Sequence, residues 1–309
     1  MKHWIILTAI VAALLISVPV VATAETVTAD FDDGNGTSAV DAYMGMEGDG
    51  WAGPWQELRS KLSNEPQTNI VVRTSSETSG TYDDDYAELV PGSGNYLYMD
   101  AHMNENAVCS LTVARDFGGE SGIDRTRPYS IEFLYRVDED NFSSNFTESN
   151  DQYQIYDWPT IRGGTTTEIG WGIKASGTNP IWRFYNGDGR NGTTNLVNYI
   201  ESGVPVVADH VFKFEVSVDP VNSSWAGKVT DLTTGAWGEG TDMGYRFDST
   251  GDPPRTPSTL MQFHTRGTTK DEERRYSIDA IKIQQVPEPT MLVMFLGMLA
   301  MGVARRGRK

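Results

Sequence analysis

Three kinds of residue in this 309-residue chain could do chemistry, and the first is clustered acid. Asp30, Asp32, Asp33 and Asn35 surround Gly34 in one turn; Asp83, Asp84 and Asp85 form a second cluster, and Asn186 and Asp188 a third. Such loops supply the hard oxygen ligands that Ca²⁺ takes, and the Asp30–Asn35 turn is the candidate site for one ion. The same residues are ordinary turn formers, and the full EF-hand spacing with its terminal Glu is missing. Val137-Asp138-Glu139-Asp140-Asn141 comes nearest to the paired carboxyls of a retaining glycosidase, which stand about 5–5.5 Å apart. Consecutive acids on a strand point to opposite faces, so this run reads as a solvated loop. No catalytic residue is assigned.

The second kind is aromatic. Trp51 and Trp55, in Gly50-Trp51-Ala52-Gly53-Pro54-Trp55, sit in a Gly/Pro loop and are the candidates for stacking on a sugar ring; such a loop can equally plug the edge of a sandwich. Trp171 alternates with polar positions in an apolar strand and is expected in the core. His102, His210 and His264 are not paired at a metal-ligand spacing, and no zinc cluster, nucleophile elbow, phosphate loop or dinucleotide fingerprint occurs. Beyond the candidate Ca²⁺, no cofactor is expected.

The third kind lies at the ends and concerns processing. Lys2 and His3 precede an apolar run from Trp4 to Val21, closed by Ala22-Thr23-Ala24. A positive start, an apolar middle and a small-x-small end make a secretory signal helix, cut by signal peptidase after Ala24. At the other end Pro287-Glu288-Pro289 is followed by an uncharged, Met- and Leu-rich stretch from Thr290 to Ala304, then Arg305-Arg306-Gly307-Arg308-Lys309. At about 1.5 Å per residue that stretch makes a helix about 22 Å long, able to enter a hydrocarbon core of about 30 Å. The basic cluster favours a cytoplasmic position. Pro287, Glu288 and Pro289, the short transmembrane helix and Arg305, Arg306, Arg308 and Lys309 closely resemble the PEP-CTERM sorting signal of exosortase substrates. The resemblance implies transient retention in the inner membrane, recognition by an exosortase-type enzyme, and delivery to the outer surface or extracellular matrix.

Between the ends, residues 25–286 show period-two alternation rather than a helical period. Tyr129, Ile131, Phe133, Tyr135 and Val137 share one strand face, with Leu134 the exception among the alternate positions. Phe212, Phe214, Val216 and Val218 share another, and Ile169, Trp171, Ile173 and Ala175 a third. Further strands are expected at 26–31, 70–74, 96–103, 108–114, 153–158, 181–185, 226–231, 260–265 and 276–283, separated by Gly/Asp/Asn/Pro clusters. Many short strands without crossover helices predict one all-β domain, an antiparallel two-sheet jelly-roll sandwich. The first and last strands are expected to pair.

Ala29-Asp30-Phe31-Asp32-Asp33-Gly34, Tyr129–Phe133, His210–Asp219 leading to Ala226–Asp231, and Tyr276–Ile283 resemble concanavalin A-like, laminin-G-like jelly rolls. That family includes lectins, glycosidases and lyases. Gln56-Glu57-Leu58-Arg59 resembles a strand segment of polysaccharide lyases, although no His/Tyr partner motif accompanies it in the sequence.

The net charge of −17 becomes more negative once the termini, with five basic residues against Glu288, are set aside. A domain this acidic repels phosphate backbones, which excludes nucleic acid as the expected partner. Cys109 is the only cysteine, so no intramolecular disulfide can form and the core must stand alone. The expectation is an exported, non-enzymatic surface or matrix protein whose jelly roll either binds glycan, with exopolysaccharide as its partner, or simply packs in the envelope as a structural module. The alternative is a carbohydrate-active enzyme, a glycoside hydrolase or polysaccharide lyase, on the same fold.

Overall fold

The computed structural model describes residues 25–32, 50–60, 67–73, 89–92, 94–103, 109–118, 123–138, 152–157, 170–177, 179–187, 198–245, 260–268 and 273–286. The signal segment, the Pro287–Lys309 tail, Asp33, Asn35 and the 83–85 acids lie outside them. Among the described residues no helix is long and apolar enough to cross a membrane.

The described elements are strands: β1 (Thr26–Ala29), β2 (Gln56–Ser60), β3 (Gln67–Arg73), β4 (Tyr96–His102), β5 (Cys109–Asp116), β6 (Tyr129–Val137), β7 (Gln152–Asp157) and β8 (Gly172–Ser176). They continue with β9 (Ile181–Asn186), β10 (Asn198–Pro205), β11 (Val211–Asp219), β12 (Ser224–Asp231), β13 (Trp237–Gly244), β14 (Leu260–Gly267) and β15 (Glu273–Gln285). An eight-stranded sheet runs β13-β12-β11-β6-β15-β4-β3, with β1 also on β15, and a seven-stranded sheet runs β10-β9-β8-β7-β14-β5-β2. Every pairing is antiparallel. The fold is the all-β, antiparallel two-sheet jelly-roll sandwich that the alternation predicts, and residues 25–285 form one compact unit.

The expected pairing of first and last strands is present: Thr26 lies opposite Gln284 and Ala29 opposite Ile281. Strand β15 pairs with β6 on one side and serves two partners on the other. Its first half, Glu273–Ile278, pairs with β4; a register shift between Asp279 and Lys282 follows, and its last residues pair with β1. Ala280 takes φ 51° at this bulge, where its N–H bonds the Asp279 carboxylate at 2.6 Å.

Alternation builds the core. Tyr129, Ile131, Phe133, Tyr135 and Val137 face Phe212, Phe214 and Val216 along the β6–β11 ladder, and all are buried. Across the sandwich Trp182 meets Phe214 edge-on at 5.0 Å, and Phe133 meets Phe263 at 5.4 Å. Trp171 is fully buried, as expected. Burying each such ring contributes about 1.5–3 kcal/mol, which is how a disulfide-free domain holds together. Leu134 breaks the pattern because it packs outside the eight-stranded sheet with Leu89, Tyr96, Tyr98 and Val211, a second small apolar cluster.

That cluster also covers charge. Asp138 is fully buried, with its Oδ1 2.5 Å from Arg136 Nε and its Oδ2 accepting from the Ser277 hydroxyl. Arg136 lies over the Tyr96 ring at 5.1 Å. Burial pushes the Asp138 carboxyl above its ordinary value even though Arg136 and Ser277 pull it down. The expectation of a solvated acid run is therefore corrected at Asp138: the backbone stays in register beside β15, and its carboxylate is drawn in to meet Arg136.

Candidate functional site

Residues that alternate with the core positions of the seven-stranded sheet point away from the sandwich, and the registers align them into rows across the strands. One row runs Tyr199 (β10), Tyr185 (β9), Gly172 (β8), Tyr156 (β7), Gln262 (β14). Tyr199 and Tyr185 have ring centroids 5.1 Å apart. The Tyr185 ring lies over residue 172: a Cβ there would come 2.4 Å from its Cδ2 and 3.3 Å from the Tyr156 Cβ, so only glycine lets the aromatics close up. The second row, two residues along each strand, runs Glu201, Arg183, Lys174, Gln154, His264, Thr112. Arg266 and Gln152 lie opposite each other two residues further on.

The floor is sunken. Tyr156, Gln262, Gln152 and Thr112 are buried, while His264, Gln154, Lys174, Arg183 and Arg266 are half-buried. His264 Nδ1 lies 2.8 Å from the Thr112 hydroxyl, and its ring centroid is 6.1 Å from that of Tyr156. Burial, reinforced by the positive charges of Arg266 and Lys174, drives the His264 pKa down to about 3, so the imidazole is neutral at physiological pH.

Charge on this face is uneven. Among the described residues, the outward positions of β7, β8 and β14 carry Lys174 and Arg266 and no carboxylate. Acids stand only at the margins: Glu201 is paired with Arg183 at 3.3 Å, and Asp116 caps its own turn by accepting from Gly118 N–H at 2.7 Å. The Nε atoms of Arg183 and Arg266 are buried without a hydrogen-bond partner among the described residues. In a chain of net charge −17, this is a cationic, donor-rich strip beside a row of aromatic rings. It can bind an elongated polar ligand that carries negative charge.

The residues singled out from sequence lie elsewhere. Trp55 is buried at 1 % exposure, between Phe31, Trp51 and Phe263, with ring centroids 5.6–6.3 Å away. Trp51 is half-buried, donates its Nε1–H to Thr28 O at 2.7 Å, and has the Arg115 guanidinium 4.6 Å from its ring centre. The expectation of exposed rings is corrected at Trp55, because the Gly/Pro loop folds inward and plugs the sandwich. Asp32 Oδ1 accepts from Asn95 N–H at 2.7 Å and ties its turn to the segment before β4, whereas Asp30 Oδ1 accepts from Asp32 N–H at 3.3 Å and helps to close its own turn. Among the described residues no group of three His, Cys, Asp or Glu could hold a metal.

The rows were missed because a sequence shows which residues alternate but not which strands become neighbours. Lys174 and His264 are separated by most of the C-terminal half of the chain, and only β7 brings their strands together. The Gln56–Arg59 segment is β2, at the margin of the same sheet that carries Tyr156 and His264.

No family model matches the chain, and no curated protein matches it. Among solved structures it is similar to an endo-β-1,4-glucuronan lyase from the fungus Trichoderma reesei, with 16 % identity over 77 % of this chain and 92 % of that one, at a TM-score of 0.44. It is also similar to a legume lectin-like domain from Entamoeba histolytica, with 8 % identity over 62 % and 84 % and a TM-score of 0.40. A third similar structure is arcelin-5, a lectin-like defense protein from Phaseolus vulgaris, with 7 % identity over 76 % and 99 % and a TM-score of 0.39.

Proposed function

We propose that residues 25–286 bind an acidic polysaccharide along the outer face of the seven-stranded sheet, without turning it over, and that the chain is exported and sorted to the cell surface or extracellular matrix. The observation that supports the binding reading is the pairing of two rows: a tyrosine row in which Tyr199 is exposed and can stack on a pyranose face while Tyr185 and Tyr156 lie buried beside it, and Lys174, Arg183 and Arg266 that can meet carboxylates. Neighbouring strands stand about 4.8 Å apart, so a chain laid across them meets a fresh pair of side chains at each strand. The sorting reading rests on the two ends: cleavage after Ala24, then transient retention in the inner membrane and processing at Pro287-Glu288-Pro289. One Ca²⁺ at the Asp30, Asp32, Asp33 and Asn35 turn is part of the proposal; calorimetric titration giving neither heat nor a higher melting temperature removes it.

A glycan array carrying neutral and uronate-containing polysaccharides tests the binding. Retention of uronate polymers that weakens with salt is expected; an array blank for every acidic glycan sinks it. For the sorting signal, alanine at Pro287, Glu288 and Pro289 is expected to trap uncleaved protein in the inner membrane, and normal surface display of that variant refutes the role.

A second reading, a polysaccharide lyase, is favoured by the neutral His264 beside Tyr156. Thr112 engages Nδ1, which leaves Nε2 to take the proton next to a uronate carboxylate. The bond to the leaving sugar oxygen then breaks, Tyr156 O–H protonates that oxygen, and the new non-reducing end carries a double bond. Ultraviolet absorbance of the unsaturated product separates the readings: a steady rise that His264→Gln abolishes makes the protein an enzyme, and a flat trace with tight binding makes it a lectin.

A further inference from the structure

We infer that the outer face of the opposite, eight-stranded sheet holds a second, separate site, one for a neutral pyranose sugar, with Trp237 as its stacking platform. Trp237 is 59 % exposed, the most exposed aromatic ring among the described residues. It is held rather than loose. Its strand, β13, carries glycine at the next position because Ser202 O of β10 would stand 1.9 Å from a Cβ on Gly238, and this close approach of the two edge strands leaves β13 little room to shift. Lys228, on β12, places its Nζ 5.7 Å from the Trp237 ring centre and thereby steadies the ring.

Beside this platform lies a groove of about 310 Å³, floored by Gly227 and Gly240 and walled by Glu132, Glu215, Glu239 and Lys282. Lys228 belongs both to the groove and to the ring contact, so the two are continuous. The wall carboxylates are held in place by ammonium groups: Lys213 reaches Glu132 at 3.1 Å and Glu215 at 3.6 Å, and Lys228 reaches Glu215 at 3.6 Å. Lys228 and Lys282 in the lining, with Lys213 paired to the wall from just outside it, offset the charge of the three lining glutamates. A charged ligand gains nothing from such a surface, whereas a polyol can donate hydroxyls to the fixed carboxylates and accept from the lysines while one ring face lies on the indole. Charge balance thus selects a neutral sugar, the opposite of the preference on the seven-stranded face.

The test is titration of the full chain with neutral gluco-, manno- and galacto-oligosaccharides, by calorimetry and saturation-transfer NMR. One of these series is expected to bind, with affinity reduced at least about tenfold by Trp237→Ala, the scale of a lost stacking contact, and unchanged by Lys174→Ala. Trp237 is exposed, so its replacement leaves the core intact; an unchanged melting temperature checks this. Binding of every neutral sugar as tightly by Trp237→Ala as by the parent overturns the proposal, as does the absence of neutral-sugar binding in the parent. Retention of uronate polymers by Trp237→Ala is expected in either case, which keeps this site's failure distinct from failure of the acidic-glycan reading.

Discussion

The two outer faces of the sandwich are both polar, yet they settle their charge differently. On the eight-stranded sheet Glu132 on β6, Lys213 and Glu215 on β11 and Lys228 on β12 form a mixed ladder, each within 3.1–3.6 Å of an opposite charge. On the seven-stranded sheet Lys174 and Arg266 flank a neutral His264, and the carboxylates stand at the margins. The eight-stranded sheet also splits within itself: its Lys/Glu ladder is open to water, while Arg136 and Asp138 lie under an apolar cover. Polarity alone therefore does not say which ligand a face takes. Among the described residues, an excess of one sign that is kept half-buried, with acids only at the margins, sets the seven-stranded face apart.

Replacing Arg136 with Met gives the largest expected effect, because it strands the Asp138 carboxylate in a buried position; a loss of about 3–5 kcal/mol in urea unfolding is expected. A loss near that of an exposed pair would erase the distinction between the covered and open parts of that sheet. Next comes the double change Lys174→Ala and Arg266→Ala. Charge-assisted contacts are worth about 1.5–3 kcal/mol each, so uronate-polymer affinity should fall at least about tenfold, with a shallower salt dependence. Unchanged affinity would place the acidic ligand elsewhere.

The third prediction concerns acid. The unfolded chain protonates His264 near pH 6.5, whereas the folded chain resists until about pH 3. The unfolded state thus binds the extra proton in that window, and this group's contribution, complete above pH 6.5, is lost as pH falls toward 3. Against the parent, His264→Gln should show a smaller drop in melting temperature over that range; an equal drop would mean that the histidine is not held neutral. The smallest effect belongs to Glu132→Gln on the open ladder, expected within about 1 kcal/mol of the parent and smaller still in high salt.

Much of the fold was readable because alternation is a local property. The runs Tyr129–Val137 and Val211–Val218 lie within β6 and β11 almost residue for residue. Strands β10 and β13 escaped because Asn198–Pro205 is largely exposed and Trp237–Gly244 uses glycine where a core residue would alternate. The sites were less readable. Trp51 and Trp55 stood out by their Gly/Pro setting, yet a flexible loop can turn rings inward as readily as outward, and here Phe31 and Arg115 draw them in. Tyr156, Lys174 and His264 gain meaning only from strand order, which depends on contacts far apart in the chain.

The close approach at Gly238 has a bearing on how many such molecules coexist. Edge strands are the usual templates on which one β protein recruits the next into fibrils. Where β10 abuts β13, Ser202 O fills the space into which a foreign backbone would have to slide. Copies of the protein crowded together are thereby kept from pairing along that flank and seeding aggregation.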